Sequence, residues 1–239
     1  SKNEKEYVSL YAKLDSLKNL TERYNGYGNS IRRIMEQKDT IPGILGVTAD
    51  LIQTEKQYET AIETALGGNI QNIVTKDEET AKELIGFLKR NQFGRATFLP
   101  LTSLTVNHFT KEDVLKESGV INLASRLVKI KPEFQKLADF LLGRILVVDT
   151  IQHALSIAGK YQYSLRIVTL EGELLSPGGS LSGGSYRNSS NLLGRRREID
   201  ELAKSCDRLQ KEAEQQKLKL KELHIIQKKL KQEEEIESK

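Results

Sequence analysis

The segment from Ser176 to Ser185 reads SPGGSLSGGS, a glycine-rich stretch of the kind that can wrap a phosphate. Phosphate-loop chemistry requires a lysine and a hydroxyl directly after the second glycine, the one to reach the phosphates and the other to hold the metal. Counting from Gly179, that second glycine arrives at Gly184, but Ser185 follows where the lysine is needed. The tetrapeptide Leu181-Ser182-Gly183-Gly184 is similar to the signature loop of ABC-type ATPases, yet neither a Walker lysine nor an acidic strand accompanies it. His108, His153 and His224 show no metal-ligand spacing among themselves or with the single Cys206, and no G-x-S-x-G elbow marks a nucleophilic serine. These residues point away from an enzyme and from a bound cofactor or metal. The glycine pairs Gly178-Gly179 and Gly183-Gly184 then have two readings. They form a pair of turns, or their missing Cβ atoms let another backbone approach closely.

The elements that must position these glycines differ sharply between the ends and the middle of the 239-residue chain. From Tyr7 the apolar side chains fall at Leu10, Leu14, Leu17 and Tyr24 in steps of three and four, interrupted at Thr21. A second series runs through Ile199, Leu202, Cys206, Leu209, Ala213, Gln216, Leu220, Leu223, Gln227 and Leu230, with Lys, Glu and Gln between. A narrow stripe repeating every 3.5 residues needs a partner helix, whereas a helix lying on a core shows a broader 3.6-residue face. The two series satisfy each other if the chain folds back on itself, although pairing between chains has the same periodicity. The C-terminal series is the longer, and its surplus turns are expected to fray.

Between about Asn25 and Asn191 short apolar runs alternate with Gly, Pro and Asn. Strands are expected at Ile44–Ile52, Ile70–Val74, Arg95–Leu99 and Leu165–Leu170, and helices at Glu55–Leu66, closed by Gly67 and Gly68, and Glu78–Arg90. The order strand, Asp77, helix, Arg95, Leu99 is echoed by Val147-Val148, Asp149, a helix through Ala154 and Ala158, then Arg166 and Leu170. Two similar halves follow, and both aspartates are expected to cap the helices they precede. The chain thus divides into helix 1–24, halves 25–112 and 113–194, and helix 195–239.

Composition sets the boundaries of function. Thirty-seven basic against 33 acidic residues leave a net charge of +4, so only a local cluster can attract nucleic acid. A single cysteine and the lack of an apolar run of about 18 residues make a cytoplasmic, membrane-free location the expectation.

The runs GILGVTADLI, YETAIETALGGNIQNIVT, FLKRNQFGRATFLPL, LLGRILVVD, RIVTLEGELLSPGGSLSGGS and LLGRRREIDEL, in this order from Gly43 to Leu202, resemble the hinge of bacterial structural-maintenance-of-chromosomes (SMC) proteins. The resemblance implies an α+β fold of two similar subdomains on an antiparallel coiled-coil stalk, and a homodimer that joins two arms in chromosome condensation and segregation. It implies that Gly178, Gly179, Gly183 and Gly184 lie at the dimer interface. It also implies that ATP is bound by a head domain outside these residues, and that the location is nucleoid-associated. Family hinges bind DNA, often single-stranded and without sequence preference. The matching cations are Lys89, Arg90 and Arg95, with Arg32, Arg33, Arg195, Arg196 and Arg197 near the stalk; a charge run can equally be a solvated face. The alternative is a nucleic-acid-binding module in which dimerisation is secondary.

Overall fold

The computed structural model describes residues 2–22, 27–184 and 191–237, and the chain forms two compact units. Tyr24, the end of the N-terminal heptad series, and the boundary at residues 24 and 25 lie outside the described residues, as does Ser185.

The first unit joins α1 (Lys2–Glu22) to the part of the C-terminal helix from Glu198 onward. Leu14, Leu202 and Cys206 are buried together, with Tyr7, Leu10, Leu17, Ile199 and Ala203 packed around them. Lys13 pairs with Glu198 at 2.6 Å, while Tyr7 lies across from Leu209 and Ala213, so the helices run antiparallel. Heptad stripes this narrow can be hidden only against each other, which is why the fold-back pairing forms. The surplus turns, expected to fray, are helical in the structure. The C-terminal helix continues to Glu237 while Leu220, Leu223 and Leu230 on its seam stay more than half exposed.

The second unit, Arg23–Arg197, holds the sheets. Its first half contains α2 (Asn29–Met35), β1 (Ile44–Val47), α3 (Thr48–Leu51), β2 (Gln53–Thr54), α4 (Glu59–Leu66), β3 (Ile73–Thr75), α5 (Glu78–Asn91) and β4 (Phe98–Pro100). Its second half contains β5 (Val120–Leu123), β6 (Val128–Lys129), α6 (Gln135–Leu142), β7 (Ile145–Val148), α7 (Ile151–Lys160), β8 (Arg166–Thr169), β9 (Leu174–Leu175) and β10 (Leu181–Ser182), after which α8 (Leu192–Glu237) leaves. The first half builds a sheet in the order β1-β3-β4 and the second a sheet in the order β10-β9-β8-β7-β5.

The echo seen in the sequence is a repeated topology. In each half an antiparallel strand flanks a parallel strand–helix–strand unit: β1 beside β3-α5-β4, and β5 beside β7-α7-β8. Even the irregularity repeats, with the register shifting between Ile44 and Gly46 in one half and between Val120 and Asn122 in the other. The matching short strands β2 and β6 pair with each other, Gln53 opposite Lys129 and Thr54 opposite Val128. A shared core closes over this tie, bringing Ile52, Ile62 and Leu66 against Leu142, Val147 and Val168. All four residues of β7 are buried, as expected of an apolar run between two neighbouring strands.

Several expected boundaries move, for local reasons. The single strand expected over Ile44–Ile52 stops at Val47. There the partner strand β3 ends, and the Asn72 carbonyl accepts from both the Thr48 amide and the Thr48 hydroxyl, turning the chain into α3. Ile70 falls in a 3₁₀ segment, Gly67–Gln71, and β3 starts at Ile73. The helix expected from Glu55 begins with a 3₁₀ turn at Lys56 and becomes α4 at Glu59; Gly67, at φ 50°, ends it. β4 starts at Phe98 rather than Arg95 and includes Pro100, tolerated because this is an edge strand with no outer ladder to supply. Asp77 does cap α5: the Thr80 amide donates to its Oδ1 at 2.9 Å and holds the carboxyl below the usual aspartate range. Asp149 does not cap α7. Thr150 is the capping residue, while Asp149 accepts from the Thr150 amide and contacts His153 Nδ1 at 2.7 Å.

Candidate interface edge and basic face

Leu174-Leu175 and Leu181-Ser182 form a hairpin because Ser176–Ser180 makes a tight turn. The Ser176 amide donates to the Ser180 carbonyl at 2.9 Å and the Gly179 amide to the Ser176 carbonyl at 3.0 Å. Gly178 and Gly179 occupy φ 91° and 96°, where a Cβ is strained, so the turn itself requires them. The Gly178 amide also donates to the carbonyl of Tyr163 at 2.8 Å, which anchors the turn to the loop after α7. Nothing in the residue pattern around Tyr163 marks this role. Its backbone sits at φ 51°, a conformation that an aromatic side chain does not advertise.

The hairpin ends the larger sheet. β10 pairs with β9 on one side, and its other side meets no strand among the described residues. Leu181 on this border is 53% exposed, and Gly178, Gly179, Gly183 and Gly184 are all exposed. Gly183 differs from the other three, since its φ lies outside the left-handed region that Gly178, Gly179 and Gly184 adopt. A Cβ there would lie 3.1 Å from Cγ, 3.7 Å from Cβ and 4.0 Å from Cα of Glu173, so the Glu173 side chain must give by a few tenths of an ångström. Neither the backbone angle nor a rigid neighbour within the chain demands glycine at this position.

The structure separates the eight cations into two groups. Arg32 and Arg33 lie on α2, Lys89 and Arg90 in the last turn of α5, and Arg95 in the following loop. These elements are packed together. Ile31, Ile34, Leu84 and Leu88 share a core, and the Ser30 hydroxyl donates to the Arg95 carbonyl at 2.7 Å. Arg33 stacks over the Phe93 ring at 5.2 Å and pairs with Glu36 at 3.3 Å, whereas Lys89, Arg90 and Arg95 are exposed cations without a carboxylate partner among the described residues. Phe87 and Phe93 make an edge-on pair packed on this core and are committed to it rather than displayed for stacking.

Arg195, Arg196 and Arg197 lie in the first turns of α8 and are only partly exposed. Arg197 pairs with Glu59 and Arg196 with Asp50, the latter at 3.7 Å. Glu63, one turn beyond Glu59, accepts from the Leu193 amide at 2.9 Å, so α4 supplies two carboxylates to the start of α8. Burial pushes the Glu63 carboxyl up, against the lowering effect of the Leu193 amide. Asn191 adds a conventional cap by accepting from the Gly194 amide at 2.7 Å. The run of three arginines reads in the sequence as a charged patch; Glu59 and Asp50, the acids that pair with Arg197 and Arg196, look there like ordinary solvent-facing residues.

Among the described residues no group of three or more His, Cys, Asp or Glu side chains could hold a metal, and no helix is long and apolar enough to cross a membrane.

Residues 41–158 match the family model described as the SMC proteins flexible hinge domain. The chain is 41% identical over 214 residues to the chromosome partition protein Smc of Desulfitobacterium hafniense and 38% identical over 197 residues to that of Bacillus subtilis. These alignments cover 87% and 81% of this chain but only 18% and 17% of the relatives, so the chain spans less than a fifth of their length. Among solved structures, an asymmetric dimer of the Geobacillus stearothermophilus SMC hinge domain superimposes with a TM-score of 0.82 at 31% identity, covering 88% of this chain and 86% of that one. The Pyrococcus furiosus SMC hinge domain gives a TM-score of 0.57 at 30% identity, covering 79% and 92%. With the two-sheet topology, the antiparallel helices and these matches in agreement, the chain belongs to the SMC hinge-domain family.

Proposed function

We propose that the chain is the homodimerisation hinge of a chromosome partition protein, joining two coiled-coil arms, and that residues 25–112 and 113–194 act as its two subdomains. The observation that carries this reading is the open border at β10. An unpaired strand presents a row of backbone donors and acceptors that a second copy can complete, and bare glycines on either side let that copy approach. The solved relative from Geobacillus is itself a dimer. No catalytic role is proposed, and ATP is assigned to a head domain outside these residues.

Sedimentation equilibrium tests the proposal. The chain should show a mass near twice 27.0 kDa at micromolar concentration. Gly183→Glu should return a folded monomer, because Gly183 is not held by its own backbone angle. A monomeric unmodified protein refutes the hinge reading.

A second reading rests on Lys89, Arg90 and Arg95, exposed and without a carboxylate partner among the described residues, with Arg32 and Arg33 on the packed helix α2. It proposes a face that binds single-stranded DNA without sequence preference and keeps the protein on the chromosome. Arg196 and Arg197, already paired to acids, contribute less than this group. A dimer that fails to shift single-stranded DNA at physiological salt removes this second reading and leaves the first intact.

A further inference from the structure

The register of the larger sheet carries one apolar row off its open border. Leu146 of β7 is the partner of Ile167 on β8, Ile167 that of Leu175 on β9, and Leu175 that of Leu181 on β10. Side chains directly opposite one another in a ladder stand on the same face of the sheet. Leu146, Ile167 and Leu175 are buried in the core that Ala154, Ile157 and Ala158 of α7 close. Leu181, the fourth of the row, emerges on that same face but takes no part in the core and is 53% exposed. The neighbouring row, on the opposite face, ends differently. Val147 pairs with Val168, Val168 with Leu174 and Leu174 with Ser182, so this row finishes on a hydroxyl. The border therefore has two unlike sides: the α7 side presents an uncovered leucine, and the other a side chain that water satisfies.

An aromatic ring is held at the same hairpin. Tyr163 follows α7, and its ring lies over the bare Gly179, where a Cβ would stand 3.6 Å from Tyr163 Cδ1. The side chain is nevertheless 47% exposed. Its backbone is fixed from both sides: the Tyr163 amide donates to the Ala158 carbonyl at 2.7 Å, and its carbonyl accepts from the Gly178 amide at 2.8 Å. A bulky residue at φ 51° is strained, and strain of this kind persists where surrounding bonds impose it. A ring presented on a backbone this constrained loses little further freedom when it is covered, which is what an interface anchor requires.

We infer that Leu181 and Tyr163 are the apolar anchors of the contact with a second copy, and that this copy covers the α7 side of the border, setting an apolar side chain beside Leu181 so that the buried row continues across the interface. The inference rests on the hinge reading above and adds to it a sidedness and two named positioning residues. Backbone pairing along β10 is available to an added strand in either of two facings, since a slip of one residue exchanges its two sets of side chains. Only the facing that lays an apolar side chain against Leu181 removes that leucine from water. The glycines thus let the partner come close, whereas Leu181 selects the register in which it docks.

Subunit exchange tests the inference. Isotope-labelled and unlabelled copies of the full chain are mixed, and the appearance of the mixed dimer is followed by native mass spectrometry, with circular dichroism spectra verifying the fold of every variant. Leu181→Thr keeps a strand-forming residue but shortens the apolar side chain, and should speed exchange at least about tenfold or leave folded monomer. Tyr163→Asn, which tolerates the left-handed backbone, should do the same, while Tyr163→Phe keeps the ring and should exchange like the unmodified chain. Ser182→Gln, on the opposite side, should change the rate by less than about threefold. An unmodified chain that is monomeric overturns the hinge reading itself. An unmodified dimer whose exchange is unaltered by Leu181→Thr and Tyr163→Asn leaves that reading standing and overturns the anchors. Exchange accelerated as much by Ser182→Gln as by Leu181→Thr overturns the sidedness.

Discussion

Replacing Lys89 and Arg90 together by glutamate should flatten the salt dependence of single-stranded DNA binding. Each phosphate neutralised on a single strand contributes about −0.7 to the slope of log affinity against log salt. The three exposed cations without carboxylates among the described residues, Lys89, Arg90 and Arg95, therefore predict a slope near −2 per hinge, or roughly a 20-fold loss of affinity between about 50 and about 200 mM salt; Arg32, also without a carboxylate, is left out because it is only partly exposed. Arg33 is discounted in this sum because Glu36 already neutralises it at 3.3 Å. Reversing two of the three should bring the slope above about −0.7, with the affinity at low salt reduced at least about tenfold. Fluorescence anisotropy of a labelled thymidine oligonucleotide, titrated at four salt concentrations, measures both quantities. α5 ends in exposed solvent at these positions, so the fold should survive. A folded variant whose slope equals that of the unmodified protein refutes the assignment of phosphate contacts to this face.

Three further outcomes follow from the contacts around α8. Glu59→Ala removes the carboxylate that Arg197 holds, with the two side chains 8% and 26% exposed. The expected cost is about 2 kcal/mol, between the values for surface and buried pairs, visible as a lower urea midpoint at fixed protein concentration; Arg197→Met in the same background should add less than it costs alone. Glu63 carries a carboxyl raised chiefly by burial, so the folded chain binds its proton more tightly than the unfolded chain does, and this group's contribution to stability falls as pH climbs from the ordinary glutamate range through the raised value. Glu63→Gln should lose that component, making the urea midpoint less dependent on pH above the ordinary glutamate range while retaining an acceptor for the Leu193 amide. Leu14→Ala should cost about 2–4 kcal/mol in thermal or urea unfolding of the paired helices, because Leu14 is buried against Leu202 and Cys206.

Heptad spacing made the paired helices legible from the sequence, because the interval between leucines is itself the geometry of the contact. The strand–helix–strand echo was legible for a similar reason: an apolar run, an aspartate and an amphipathic segment recurred in the same order, and both became parallel crossovers. What sequence reading lost was set by partners distant in the chain. Nothing in ILGVTADLI tells that the carbonyl of Asn72 will end the strand at Val47. Arg196 and Arg197 looked like part of a cationic surface because Asp50 and Glu59, far away in the chain, are needed to see that they are paired. The glycine pairs were visible, but Gly183 is separated from its neighbours by a backbone angle, which residue type alone does not carry.

The two halves repeat a common plan yet end differently. The first stops at three strands and carries the extra helix α2; the second continues through β9 to β10. A duplicated scaffold of this kind permits a division of labour. The copied strands and the small β2–β6 tie keep the whole in one piece, while the unequal additions are released to specialise, one gathering positive charge and the other extending a border outward. A substitution at matching places in the two copies should therefore have similar effects on folding and quite dissimilar effects on assembly.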